Sequence, residues 1–272
     1  LQYLRKMSPA LLVGIKKMGI PIVVRLSDYG MLCPQVHFLR DGKPCEKCIN
    51  GNLWPSVRHG CVQNSKAISF LNYIATMYHR HKNYFGLIDK FITTNDFMYQ
   101  KMIEAGYPQE KMVTIPTFVD TETFHPPINR PEALMREFHL GRLEEIKGVH
   151  VLIEAWREFL IKNPNIPLQL KIIGFGSDDY TKEIGNRISR TEKISFLGRL
   201  DEEEVAKELR GAYLSIIPSL WYENLPNTLL ESYASGIPVI ASNLGSLKER
   251  ILKVILVILR HFRKSGDLAQ KI

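Results

Sequence analysis

Two glutamates, Glu223 and Glu231, stand with seven residues between them around a segment that reads as the start of a helix. Before them, Ala212 to Pro218 is a short apolar, β-branched strand; after them come Gly236, Pro238 and a second strand, Val239 to Ser242. Pro226 suits a first helical turn, where its missing N–H costs nothing, and Gly236 suits the left-handed position just past the helix end. Glu223 then lies in a loop at the positive end of the helix that carries Glu231. Backbone N–H groups near Leu225 to Thr228 make that end an anion site. Two carboxylates beside an anion site match a ligand carrying both hydroxyls and phosphates, such as a nucleotide-sugar. On spacing alone, a cap and a solvated side chain are the commoner use of such a pair.

Arg142 and Lys147 form a second set, in the turn Gly141-Arg142-Leu143-Glu144-Glu145-Ile146-Lys147-Gly148. A guanidinium grips two phosphate oxygens in a fork, and an ammonium acts as a mobile point charge. Cys33, Cys45, Cys48 and Cys61 form a third, inside one turn-rich stretch of residues 28–61 with a single Cys-x-x-Cys. Four thiolates make a structural zinc site chemically sensible, and two disulfides or unconnected buried thiols are its rivals.

Alternating strands and helices position these residues. Helices are expected at Ser8 to Met18, Ser65 to Tyr84 (with Ile68, Leu71, Ile74, Ala75 and Tyr78 on one stripe) and Asp96 to Ala105. Strands are expected at Ile20 to Leu26, Lys90 to Thr94 and Lys111 to Ile115. Residues 121–131, with Pro126, Pro127 and Pro131, read as a linker, which divides the chain into domains of residues 1–125 and 126–272. The second domain continues with a strand at Phe138 to Leu140 and a helix at Val149 to Ile161. A strand at Leu168 to Gly174 and a helix from about Asp179 to Arg190 follow. Ile194 to Leu197 is the next strand, and a helix at Glu202 to Leu209 is capped by Asp201. This is a parallel α/β pattern, whose ligands sit beyond the carboxyl ends of the strands. Arg142, Lys147, Phe175, Arg199 and Glu223 all fall just after expected strands. Asp178 and Asp179 stand at a helix start, where capping is the expected use.

Glu223 to Glu231 with Asn224-Leu225-Pro226, followed by residues 234–242, resembles the signature of retaining glycosyltransferases of family 4. Gly141-Arg142-Leu143 and Lys147-Gly148 resemble the same family. The resemblance implies a GT-B fold of two Rossmann-like domains facing across a cleft, the first of them incomplete here, and transfer of a sugar from a nucleotide-diphosphate donor to a glycan or lipid-linked acceptor, as in polysaccharide biosynthesis. By the resemblance, Glu223 lies near the transferred sugar, and Arg142 and Lys147 stabilise the leaving diphosphate; these three are the expected catalytic residues. Glu231 binds the ribose hydroxyls, while Asn224, Leu225, Pro226, Gly174, Phe175 and Leu197 complete the donor site. The family implies that no metal cofactor is required for transfer. Ser27-Asp28-Tyr29 with Cys33, Cys45 and Cys48 resembles a subgroup with a cysteine-bearing loop after His-Asp-Tyr, with Ser27 in the histidine's place.

A formal charge of +8 favours anionic partners. No apolar run reaches the length of a membrane span, and residues 1–6 lack a signal-peptide core. The expected location is the cytoplasm, with peripheral contact at a membrane surface and no nucleic-acid partner. The family's opening strand and helix units and its closing helices find no counterpart in the sequence, so truncation at both ends is expected. The apolar run from Arg250 to Phe262 departs from the family pattern and reads either as a frame disturbance or as a helical replacement. Ser27 and both ends keep two alternatives open: a non-catalytic remnant that binds nucleotide-sugar, and a zinc-stabilised interaction module.

Overall fold

The computed structural model describes residues 1, 8–128, 136–188, 193–252 and 257–260, with the backbone alone for 136–140, 251–252 and 257–260. The chain divides into two compact units, Leu1–Thr117 and Phe118–Ile272. Sequence reading puts the division after His125; the unit boundary falls earlier because Phe124 is buried in a core of the second unit, with Val119 packed against it.

In the first unit, α1 (Leu11–Lys17) leads to β1 (Val23–Arg25). The two-residue strands β2 (Leu39–Arg40) and β3 (Lys43–Pro44) form a small antiparallel pair, followed by α2 (Trp54–Arg58) and α3 (Lys66–His81). Then come β4 (Lys90–Thr93), α4 (Asp96–Glu104) and β5 (Met112–Thr114). The parallel sheet runs β1-β4-β5. Ser65 and Asn95 cap α3 and α4 with their side-chain oxygens, satisfying donors that a helix start leaves open. The apolar stripe of α3 does not face the unit's core. Ile68, Leu71, Ile74 and Tyr78 are exposed, and the helix is held instead by Ser69, whose hydroxyl accepts from the Val62 N–H, by Tyr73 edge-on to Trp54, and by Arg80, which donates to the Gly51 carbonyl.

The second unit contains β6 (Arg136–Leu140), α5 (Val149–Lys162), β7 (Gln169–Ile173), α6 (Asp178–Arg187), β8 (Ile194–Gly198) and α7 (Glu202–Arg210). It continues with β9 (Leu214–Ile217), α8 (Asn227–Ala234), β10 (Val239–Ser242), α9 (Gly245–Leu252) and β11 (Val257–Arg260). All six strands are parallel, in the order β11-β10-β9-β6-β7-β8. Read from β8, this is the 3-2-1-4-5-6 order of a doubly wound sheet, with its switch point between β6 and β9. Alternate strand residues feed opposite faces. Ile172, Ile216 and Ile240 pack with Leu152, Ile153 and Trp156 of α5, whereas Ile217, Val239 and Ala241 pack with Leu229 of α8 and Leu247 of α9. Burial on both faces is why these strands read as continuous apolar runs.

Three local expectations are corrected. Pro226 stands one residue outside α8, at its N-cap. The cap of α6 is Ser177, whose hydroxyl accepts from the Tyr180 N–H, and Asp178 and Asp179 occupy the first turn. The run from Arg250 is not one helix: it supplies the last turn of α9 and, after residues 253–256, the strand β11 paired to β10. Gly236 takes φ 70°, as its place after α8 requires, and Asp201 and Glu204 form a reciprocal capping box at α7. Among the described residues, no helix is long and apolar enough to cross a membrane.

Candidate active site

At the switch point the loops after β6 and β9 diverge from adjacent strands, and two glycines let them close on their neighbours. Gly174, at φ 144°, lies so near the first of these loops that a Cβ would stand 1.7 Å from the Gly141 carbonyl oxygen. Gly148, at φ 73°, touches the second loop, where a Cβ would lie 2.2 Å from the Pro218 oxygen. Backbone bonds zip the segments together: Leu143 N–H donates to Phe175 O at 2.8 Å, and Leu220 N–H donates to Ile146 O at 2.8 Å.

This scaffold delivers Lys147 to Glu223. Glu223 is buried, and its Oε1 accepts from Lys147 Nζ at 2.7 Å, Ser219 Oγ at 2.6 Å and Trp221 Nε1 at 3.0 Å. Ser246 Oγ holds the Glu223 carbonyl at 2.8 Å. Lys147 Nζ also lies 5.3 Å from the centre of the Trp221 ring, within cation–π range. The lysine side chain keeps 17% of its surface exposed and the glutamate side chain only 5%, so the ammonium is the member of the pair that can meet a ligand. Ser219, Trp221 and Ser246 were not singled out from the sequence. The alternation of Ser219, Trp221 and Glu223 is the one local signal of a shared side of the loop.

The other expected site residues divide. Arg142 is exposed and pairs with Glu144 at 3.0 Å rather than joining the Lys147–Glu223 cluster. Phe175 is exposed at the end of β7, with the Arg199 guanidinium 4.8 Å from its ring centre. The Leu225 side chain is buried in the core beneath α8, and Leu197 packs against the cluster around Ile173 and Leu209. Leu225 therefore offers a ligand chiefly its backbone, while Leu197 is only partly buried. Glu231 on α8 has no ion-pair partner among the described residues. Burial, with the Glu202 carboxylate adding repulsion, lifts its pKa from 4.5 to about 7.

In the first unit, Ser27 follows β1 and lines a cavity of ≈ 520 Å³ with Arg25, Asp28, Asn72, His79 and Arg80. The four cysteines are free thiols around a separate small cavity. Among the described residues, no three His, Cys, Asp or Glu side chains are set as a ready-made metal-binding group.

Residues 137–272 match the family model described as glycosyl transferases group 1. The putative colanic acid biosynthesis glycosyltransferase WcaL of Escherichia coli (strain K12) is 25% identical over 210 residues, covering 75% of this chain and 50% of the relative. The chain thus spans about half the length of the curated relatives it matches. Among solved structures, Anabaena Alr3699/HepE in complex with UDP and glucose superposes with a TM-score of 0.66 at 19% identity, over 96% of this chain and 63% of that one. Sucrose-phosphate synthase from Thermosynechococcus elongatus gives 0.63 at 17% identity, over 98% of this chain and 68% of that one. These likenesses carry the fold, α/β of the GT-B type with Rossmann-like units, and the matched half coincides with the unit built around Lys147 and Glu223. The chain belongs to the glycosyl transferases group 1 family.

Proposed function

We propose that the second unit binds a nucleotide-diphosphate-sugar and that the chain is part of a retaining glycosyltransferase acting on a glycan or lipid-linked acceptor. The observation that carries this reading is the Lys147–Glu223 pair at the switch point of the doubly wound sheet, where such folds bind nucleotides. Three donors on one carboxylate oxygen fix the loop after β9, and the carboxylate in turn aims the ammonium. As the sugar–phosphate bond breaks, negative charge grows on the leaving diphosphate. A cation already held in place stabilises that charge without reorganising. In this reading Lys147 meets the diphosphate at short range and Arg142 leaves Glu144 to grip a second oxygen. Glu223 holds Lys147 and presents the backbone of Asn224 and Leu225 to the sugar.

Glu231 supplies the ribose contact, since a carboxylate accepts from two adjacent hydroxyls. Phe175 and the backbone at Leu197 flank the base. Charge stabilisation by side chains makes a divalent ion unnecessary to the scheme. In this reading, attack of the acceptor on the face that the diphosphate leaves accounts for retention. The acceptor side is assigned to the cavity beside Ser27. HepE has been solved with UDP and with UDP-glucose, which supports a uridine donor here. The test is incubation with UDP-, GDP- and ADP-sugars and lipid or glycan acceptors, followed by NMR of the product's anomeric carbon. Retained configuration is expected; inversion would overturn the mechanism.

A further inference from the structure

The donor site makes no use of the thiol cluster. Cys33, Cys45, Cys48 and Cys61 come from different turns of residues 28–61, yet all four line one cavity of ≈ 20 Å³. That volume holds about one water-sized sphere and excludes any organic ligand. We propose that these four cysteines are the ligands of one structural zinc-class ion, which staples the loop after β1.

Three observations independent of the spacing point to it. The first is the backbone around Cys33. The backbone N–H groups of Gln35, Val36 and Phe38 lie near its sulfur, the Val36 N–H donating to the Cys33 carbonyl at 2.8 Å, and the Ser56 N–H lies near the sulfur of Cys48. Val36 and Phe38 reach that arrangement at φ 70° and 48°, in the left-handed region that a β-branched side chain avoids. Strained backbone of this kind persists where surrounding structure enforces it, and here the result is a cup of N–H donors around sulfur. A neutral thiol gains little from such a cup, while a metal-bound thiolate is stabilised by it.

The second is the charge around the cavity. Arg40, Lys47 and His59 line it with the cysteines. Arg40 Nε is buried with no hydrogen-bond partner among the described residues, while its Nη1 lies 3.0 Å from His59 Nδ1. The Arg40 side chain keeps 31% of its surface exposed and pairs with Asp41 at 3.6 Å, and with Lys47 it sets a basic rim beside four neutral thiols. A divalent ion held by four thiolates carries two net negative charges, which this rim neutralises. On binding, each S–H gives its proton to solvent and its sulfur lone pair to the metal, so one ion displaces four protons.

The third is the segment itself. Its regular structure is limited to two-residue strands and one five-residue helix, so its turns are held by buried side chains such as Tyr29, Phe38 and Leu53, to which a staple at the cysteines would add. Cys33 and Pro34 line both this cavity and the larger one beside Ser27, so a staple here would also fix a wall of that cavity. As placed, the sulfurs surround the cavity without converging on one point. The cysteine side chains must therefore rearrange as the ion binds.

The experiment uses the whole chain, purified without chelator. Metal analysis is expected to give about one zinc per chain. After exchange with cobalt(II), the visible bands of a tetrahedral site and thiolate-to-cobalt charge transfer should appear. Cys48→Ser should lower metal content at least tenfold. Because that variant could fail to fold, the unaltered chain is also titrated with a thiol reagent, before and after chelation. Four slow thiols that become fast on chelation support the site. Absence of stoichiometric metal and of charge transfer, with four thiols fast from the outset, overturns it. A mass lower by four hydrogens would overturn it in favour of two disulfides.

Discussion

Lys147 Nζ and Glu223 Oε1 meet at 2.7 Å although the residues are 76 positions apart, and their contact joins the loops that follow the two strands at the switch point. Desolvation offsets much of the attraction in such a pair, so its net stabilisation is small, whereas loss of one partner strands a charge. Lys147→Met should therefore lower unfolding stability by about 3–5 kcal/mol. Adding Glu223→Gln should recover part of that loss, because no buried charge then remains. Urea denaturation of the two single variants and the double variant measures the coupling. Additive losses would show that the two side chains do not act as a pair.

Gly174→Ala tests the close approach beneath the same loop. A Cβ at φ 144°, 1.7 Å from the Gly141 oxygen, forces backbone to move. The strained backbone alone should cost about 1–3 kcal/mol, and donor affinity should fall with the displaced Arg142 turn. Gly185→Ala, whose Cβ would meet nothing within 4 Å, is the control in α6. Thermal unfolding that ranks the two variants equally would contradict this geometry.

Much of the second unit was legible in its residues. Asp201 and Glu204 spell a capping box, Gly236 marks the end of α8, and the apolar runs of β7, β9 and β10 announce burial on both faces. The Lys147–Glu223 pair was not legible, because it depends on the sheet order that sets β6 beside β9. Leu225 lies within an expected donor stretch, but its side chain turns into the core, and Leu197 packs against another core cluster. Spacing locates a loop without saying which way each side chain points. For the same reason the α3 stripe, regular as it is, did not reveal that Leu71 would be exposed. A periodic apolar face shows which residues lie together, and what covers them is a tertiary matter.

Glu231 should leave a signature in the pH dependence of stability. Its carboxyl is raised from 4.5 to about 7 in the folded chain, so between those values the folded state binds more protons than the unfolded state. This contribution to stability is complete below pH 4.5 and is lost as pH rises to about 7. Glu231→Gln removes that dependence. Its unfolding temperature relative to the unaltered chain should rise across the window and level off above it. A difference that stays flat from pH 4.5 to 8 would mean that the carboxyl is not raised.

The central claim is a donor site built on Lys147, Glu223 and Glu231, and calorimetric titration with UDP, GDP and ADP at pH 8 tests it most directly. Saturable binding of at least one nucleoside diphosphate is expected. Glu231→Ala should weaken it by about 1.5–3 kcal/mol, the usual worth of a hydrogen bond to a charged group, or roughly ten- to a hundredfold in Kd. Lys147→Met should weaken it as well, while Lys162→Ala, at the far end of α5, should leave it unchanged. No saturable binding of any of the three nucleotides, or undiminished binding by both site variants, would contradict the account.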